Sequence, residues 1–392
     1  PFWAAGARWN LHREKWLQNT IISNLVLRGS YGVTGSQSYS PYQAKETYTY
    51  DDLLFPYPSS DILGAQLKGM GNPDLGWSTT KNRSFAMELG LWNSRVNASF
   101  SYYNNYTDEL LLDYNMAPST GFATKTMNVG AVENEGYDIS LSVMPIQDYE
   151  RQIQWSISMN GSHNRNVIKK ISNEMKAMNQ KNLEKKNGSP EAIYEEGKST
   201  TQLFVVPSLG IDPATGQEIY IDIDGNPTFT YNYWDKRVYG DANPDMSGVF
   251  GSYLTFKGFS LNMMFDYSFG GTIYNQTLVS RVEGSDPLKN ADKRVFSSRW
   301  KEAGDQAKYK DIADSSMPEV TSRFIRDEYY LNMRSLSLSY DFTSDFCKKI
   351  YLSRLRVQFM TNDLFRISTV KQERGLTYPF ARTFEFSLSA AF

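Results

Sequence analysis

FEFSLSAAF, residues 384–392, sets Phe384, Phe386, Leu388, Ala390 and Phe392 on one face of an extended strand and Glu385, Ser387, Ser389 and Ala391 on the other. One face is apolar and bulky. The other is small and mostly polar. Such a strand can lie in two places: against the dry core of a soluble sheet, or in a wall with hydrocarbon on one side and water on the other.

The pattern recurs along the chain. Phe259, Leu261, Met263, Phe265 and Tyr267 share a face, with Ser260, Asn262, Asp266 and Ser268 opposite. Leu336, Leu338, Tyr340 and Phe342 alternate with Ser335, Ser337, Ser339 and Asp341. Tyr137, Ile139, Leu141 and Val143 alternate with Asp138, Ser140 and Ser142. The same period runs through 84–91, 96–102, 155–160 and 355–359, and less regularly through 2–10, 24–33 and 247–256. About eleven strands result, each of roughly ten residues, the length needed to cross a bilayer at a tilt.

The connections decide between the two placements. Asn93-Ser94, 146–151, Lys257-Gly258 and 343–352 are short links after every second strand. The gaps at about 34–76, 107–130, 165–245, 269–329 and 363–380 are long. A soluble sandwich has no reason to gather its long loops at one end. A transmembrane barrel does, with short periplasmic turns and long extracellular loops. The reading is an all-β, antiparallel transmembrane barrel wall. A soluble β-rich carbohydrate-binding protein, with the apolar faces as its core, is the alternative.

Composition narrows the function. The 392 residues carry a formal net charge of -2, which argues against nucleic acid as a partner. No run of 18 apolar residues exists, so no transmembrane helix is expected. Tyr, Phe and Trp make up 14% of the chain, residues that favour strands and membrane interfaces. Cys347 is the single cysteine, and the only histidines, His12 and His163, lie far apart in sequence. An intrachain disulfide is therefore excluded, and neither a histidine-based metal site nor a Ser/His/Asp triad is expected. The opening PFWAAGARWN has no basic-then-apolar signal segment and reads as the inside of a longer sequence.

Six stretches, in order, resemble the SusC/RagA family of TonB-dependent outer-membrane transporters. LRGSYGVTGSQ (27–37) is similar to a strand leading into a long outer loop, and GNPDLGWSTTKN (71–82) to the return. MNVGAVENEGYDISL (127–141) resembles the approach to the next strand. GIDPATGQEIYIDIDGNPT (210–228), followed by YGDANPDMSGVFG (239–251), resembles a loop segment. SRFIRDEYYLNMRSLSLSYDF (322–342) and YPFARTFEFSLSAAF (378–392) resemble the end of the barrel. The resemblance implies that residues 1–392 are the C-terminal part of a barrel, about 11 of about 22 strands. A plug domain and a TonB-contacting segment would lie outside this chain. It implies nutrient import without chemistry on the substrate, oligosaccharide or oligopeptide, with no cofactor. Implied partners are a SusD-like surface lipoprotein acting as lid, a chain or segment with the N-terminal half-barrel and plug, TonB through that plug, and outer-membrane lipid. A dimer of transporter–lipoprotein pairs is also implied. Phe392 would be the membrane-insertion signal read by the assembly machinery.

Individual motifs carry less. Tyr231, Tyr233 and Trp234 in TYNYWDK are the candidate substrate-binding residues, since their ring faces stack on sugars and pack against peptide side chains; an outer aromatic girdle explains them equally. YIDIDGN (220–226) has two aspartates before a glycine but lacks the ligand spacing of a calcium loop, and reads as a tight turn. The basic run 167–187 is compatible with a helix with a solvated face or in contact with lipopolysaccharide phosphates. Residues 294–305 read as a short helix in an outer loop. Cys347 is expected to be an inert thiol in a periplasmic turn. Asp108-Glu109 and Asp327-Glu328 are paired carboxylates at loop edges, the feature a third possibility, an outer-membrane enzyme, would need.

Overall fold

The computed structural model describes residues 2–18, 20–37, 42–50, 65–122, 124–186, 188–286, 288, 292–371 and 381–392. Parts of the long connections, 38–41, 51–64 and 372–380, lie outside the described residues, and with them the start of the 378–392 motif.

Eleven strands form one continuous antiparallel sheet in chain order. They are β1 (Trp3–Asn10), β2 (Ile22–Ser36), β3 (Ser78–Leu91), β4 (Val96–Asp108), β5 (Gly130–Asp148), β6 (Ile153–Ile171), β7 (Met246–Phe256), β8 (Phe259–Phe269), β9 (Tyr330–Asp341), β10 (Arg354–Asn362) and β11 (Phe384–Ala391). Each pairs with the next. β5 and β6 reach 19 residues, well beyond the ten or so that alternation alone marked. Their outer halves, rich in Asn, Glu, Lys and Arg, break the apolar period while keeping the ladder. After β10, Arg366–Ser368 resumes pairing along the outer end of β9.

Register aligns the apolar faces into a belt. Leu25, Leu89, Ala98, Leu141, Met159, Phe250, Phe265 and Met333 stand opposite one another from β2 to β9. Leu261, Leu338, Phe359 and Phe386 continue it from β8 to β11. A slip of one residue anywhere would turn a whole strand over, so a row this long is strong evidence for the pairing. Phe386 is 77% exposed, Leu388 70% and Ile139 40%. These side chains do not pack into a dry core, which is what the soluble alternative required.

Aromatic rings bound the belt. Trp3, Tyr31, Tyr137 and Tyr267 lie towards the outer end; Trp9, Trp155, Phe259 and Tyr340 lie towards the short turns. Along β6, Trp155 and His163 mark the two limits. Their separation is about 26 Å along the strand and about 20 Å after tilting, near the height of the apolar band of such barrels. The opposite face is polar and cross-linked. Arg28 donates to Glu88 at 2.6 Å, Ser30 and Ser84 share a hydrogen bond of 2.7 Å, and Gln358 donates to Ser337 at 3.1 Å.

One packing detail ties three strands together. Gly161, Gly248 and Tyr267 share a row across β6, β7 and β8. The absent side chains leave a slot, and the Tyr267 hydroxyl crosses it to donate to the Asn160 carbonyl at 3.0 Å. A Cβ at Gly248 would overlap that carbonyl oxygen and crowd the tyrosine hydroxyl. Gly248→Val is therefore expected to cost about 1–3 kcal/mol by overpacking, and Tyr267→Phe about 1 kcal/mol for one hydrogen bond. Urea titration of the bilayer-inserted barrel measures both. Equal midpoints for Gly248→Val and the parent would refute the slot.

The turns follow the expected alternation. Trp92, Asn93, Ser94 and Lys257 take left-handed backbone in the tight links. The 343–352 link holds a one-and-a-half-turn helix, Ser344–Lys349, that buries Cys347. Residues 294–305 differ from the helix expected there: only Lys293–Phe296 forms a 3-10 turn, and Arg299 then bridges to Tyr309 as irregular chain. Val167–Ile171 of the basic run belongs to β6, and the helix α1 (Asn173–Glu184) begins after it, its N-cap Ser172 accepting from the Met175 amide.

Candidate functional site at the outer loops

Among the described residues, the buried hydrophobic cluster lies in the loops. Val205, Tyr274, Leu278, Val279, Val282, Val320, Phe324 and Ile325 form one buried cluster. They come from two long connections, β6–β7 and β8–β9. Val206 and Thr321 join these segments as a parallel bridge, with the Val206 amide donating to the Val320 carbonyl at 3.1 Å and the Ser322 amide to the Val206 carbonyl at 3.0 Å. A three-stranded ribbon (Ser208–Ile211, Glu218–Ile221, Pro227–Thr228) lies beside this seam, the Ser208 amide donating to the Ser322 hydroxyl at 3.0 Å.

Arg323 is the electrostatic centre. Its guanidinium grips Glu283 with both arms, at 2.7 and 2.6 Å, and reaches Glu218 at 2.7 Å. The side chains of Arg323, Glu218 and Glu283 are 9%, 0% and 3% exposed. Burial alone would lower the Arg323 pKa; the bonds to Glu283 and Glu218 more than reverse this and hold it charged. Arg299 does a parallel task with carbonyls, donating to Val295 at 2.6 Å, Lys310 at 3.1 Å and Glu283 at 2.9 Å, and also to Val282. Two cations thus fix the turn Leu278–Glu283 to the segments around it. Burial pushes the Lys236 ammonium down, its Nζ donating to the Leu183 carbonyl at 2.8 Å near the end of α1, and pushes the Glu319 carboxyl up.

The three aromatic candidates separate. Tyr231 is half-buried, edge-on to Tyr220 at 5.4 Å, and burial drives its hydroxyl pKa far up. Tyr233 is half-buried against Trp234, with ring centres 5.1 Å apart. Trp234 is 50% exposed on a 3-10 turn, Tyr233–Asp235, capped by the Asn232 side chain accepting from the Trp234 amide at 3.1 Å. One free indole face with a tyrosine beside it can stack on a sugar ring or hold an apolar peptide side chain. In the 220–226 segment, Asp222 accepts from the Asn226 amide at 2.7 Å, closing a turn on Gly225. Phe392 lies one residue beyond β11 and is 98% exposed.

Sequence reasoning missed the Arg323 triad. Glu218 alternates with Ile219 and shares a strand face with the buried Tyr220, a carboxylate on an apolar face, which was the one signal available. Glu283 and Arg299 gave none.

A sheet that is apolar outside and polar inside, with two of its long loops packed into one body at one end, defines the wall of an outer-membrane β-barrel. The model of the family described as TonB dependent receptor-like, β-barrel, matches residues 1–362, and the chain belongs to this family and to the outer membrane. TonB-dependent receptor P3 of Formosa agariphila is 26% identical over 379 residues, covering 91% of this chain and 36% of the relative. TonB-dependent receptor SusC of Bacteroides thetaiotaomicron is 23% identical over 286 residues, covering 71% and 28%. Among solved structures, the RagAB peptide importer in its closed-closed state superimposes with a TM-score of 0.81 at 23% identity, covering all of this chain and 43% of that one. The chain thus spans little more than a third of the curated relatives with the broadest matches.

Proposed function

We propose that this chain forms wall and outer loops of a TonB-coupled importer that takes up oligosaccharides or oligopeptides too large for a porin. A SusD-like surface lipoprotein closes over the loops. Further strands, in this protein or another chain, complete the ring beyond β1 and β11 and bring the plug that TonB pulls; the proton gradient of the inner membrane supplies the work. Two such transporter–lipoprotein pairs associate. No bond of the substrate is made or broken.

The observation that carries this reading is the pairing of an exposed, register-matched apolar belt with a loop body at one end that has its own core. A transported ligand meets that body first, and a rigid mouth presents binding groups without ordering cost. Within it Trp234 and Tyr233 contact substrate, while Tyr231 anchors their segment. Phe392 serves as the membrane-insertion signal. The printed description of RagAB as a peptide importer favours an oligopeptide; the ring faces suit a glycan as well.

The test uses the full-length receptor. Trp234→Ala is expected to weaken binding of the transported oligomer about tenfold, the worth of one aromatic contact, with surface abundance unchanged. Labelled oligosaccharides and oligopeptides are offered separately to cells with and without the gene. Equal uptake of every oligomer by both strains would end the importer reading; unaltered affinity in Trp234→Ala would remove that residue from the site alone.

A further inference from the structure

The outward face of the wall does not become featureless above the aromatic boundary. On β3, the residues following the belt towards the outer end are Arg83 and then Lys81, on the same face as Phe85, Met87 and Leu89. Both are exposed. Arg83 lies over the Tyr31 ring of β2 at 5.9 Å, and Lys81 over the Tyr106 ring of β4 at 5.6 Å. Among the described residues neither makes an ion pair. The contrast is with Lys169 on the same face, which is paired with Glu133. The two unpaired cations are about 7 Å apart along the strand, one pleat repeat. They sit immediately above side chains that meet acyl chains.

We infer that Lys81 and Arg83, held between Tyr31 and Tyr106, form an outer-leaflet lipid site that takes the phosphate of a phosphorylated glycolipid headgroup. Charge and depth both select this occupant. Each acyl chain has the belt below it. A phosphate at the headgroup level faces two donors that make no ion pair among the described residues, one of them a guanidinium suited to bidentate contact; the carboxylates on the same face, Glu133 and Glu135 of β5, are engaged by Lys169 and Asn104 and by the Tyr102 hydroxyl. The rings below the cations fix their long stems, which reduces the entropy lost on binding. The inference rests on the outward assignment of the belt but not on what the protein imports.

The full-length receptor in nanodiscs is titrated with lipid A and with lipid A stripped of its phosphates, and bound lipid is counted by native mass spectrometry. The parent is expected to retain the phosphorylated form several-fold more strongly. Lys81→Gln and Arg83→Gln should each lose about fivefold, since one interfacial cation is worth about 1 kcal/mol. The double variant should lose the phosphate preference, and Arg83→Lys should keep most of it. Parent protein that holds both lipids equally overturns the site, whatever the variants do. So does a folded double variant that still prefers phosphate.

Discussion

Replacing Arg323 by alanine is expected to open the outer loop body and leave the eleven-strand wall intact. The substitution strips Glu218 and Glu283 of their shared partner, and both carboxylates are almost fully enclosed. Breaking a buried pair by removing one partner costs about 3–5 kcal/mol, because the remaining charge is stranded. Here two charges are stranded at once, and the Lys308 carbonyl, which accepts from Arg323 at 2.8 Å, loses its donor as well. The cost falls on the loops because the triad joins Glu218 of the β6–β7 connection to Glu283 and Arg323 of the β8–β9 connection, while the wall is held by its own ladders. Limited proteolysis of the reconstituted receptor should cut within 190–330 in Arg323→Ala at protease levels the parent resists, with heat-modifiable mobility of the barrel retained. Glu218→Gln/Glu283→Gln/Arg323→Met, which removes the charges together, should recover much of the resistance. Equal protease resistance of Arg323→Ala and the parent would show that the triad does not hold the loops.

The wall was legible in the sequence and the loop body was not, for a physical reason. A strand with lipid on one side and water on the other must alternate, and period two is visible in one dimension: Leu336, Leu338 and Tyr340 announce their face before any partner is known. Eight strands show this period cleanly and three, at 2–10, 24–33 and 247–256, less regularly. Their outer extensions do not, because above the membrane neither face needs to be apolar, and Asn104, Glu133 and Arg165 look like loop. In the loop body, burial comes from contacts between segments about 100 residues apart, such as Val206 with Thr321 or Glu218 with Arg323. No local period records such contacts. The aromatic cluster was found for its ring content, yet whether a ring is free or used depended on that same packing: Tyr231 is half-buried against Tyr220 and Trp234 is half exposed.

Two adjacent residues of β5 provide the sharpest test of the faces. Leu141 lies in the apolar row between Ala98 and Met159; Ser142, its neighbour, stands opposite Asn97 and Ser158 on the polar side. Both are exposed, so neither substitution below meets a steric barrier from the described residues. Leu141→Arg is expected to destabilise the bilayer-inserted barrel by about 2–4 kcal/mol, the cost of arginine facing hydrocarbon near mid-depth. Ser142→Arg should stay within about 0.5 kcal/mol of the parent, as a surface change in water does. At about 1.4 kcal/mol per factor of ten, the two variants then differ at least roughly tenfold in folded-to-unfolded ratio. Urea midpoints of the full-length receptor in lipid vesicles measure the difference, and detergent micelles, which adapt around a charge, should shrink it. The reverse order, with Ser142→Arg damaging and Leu141→Arg neutral, would place the serines against lipid. The polar face would then no longer be a water-filled interior, and Lys81 and Arg83 would point inward with the apolar belt.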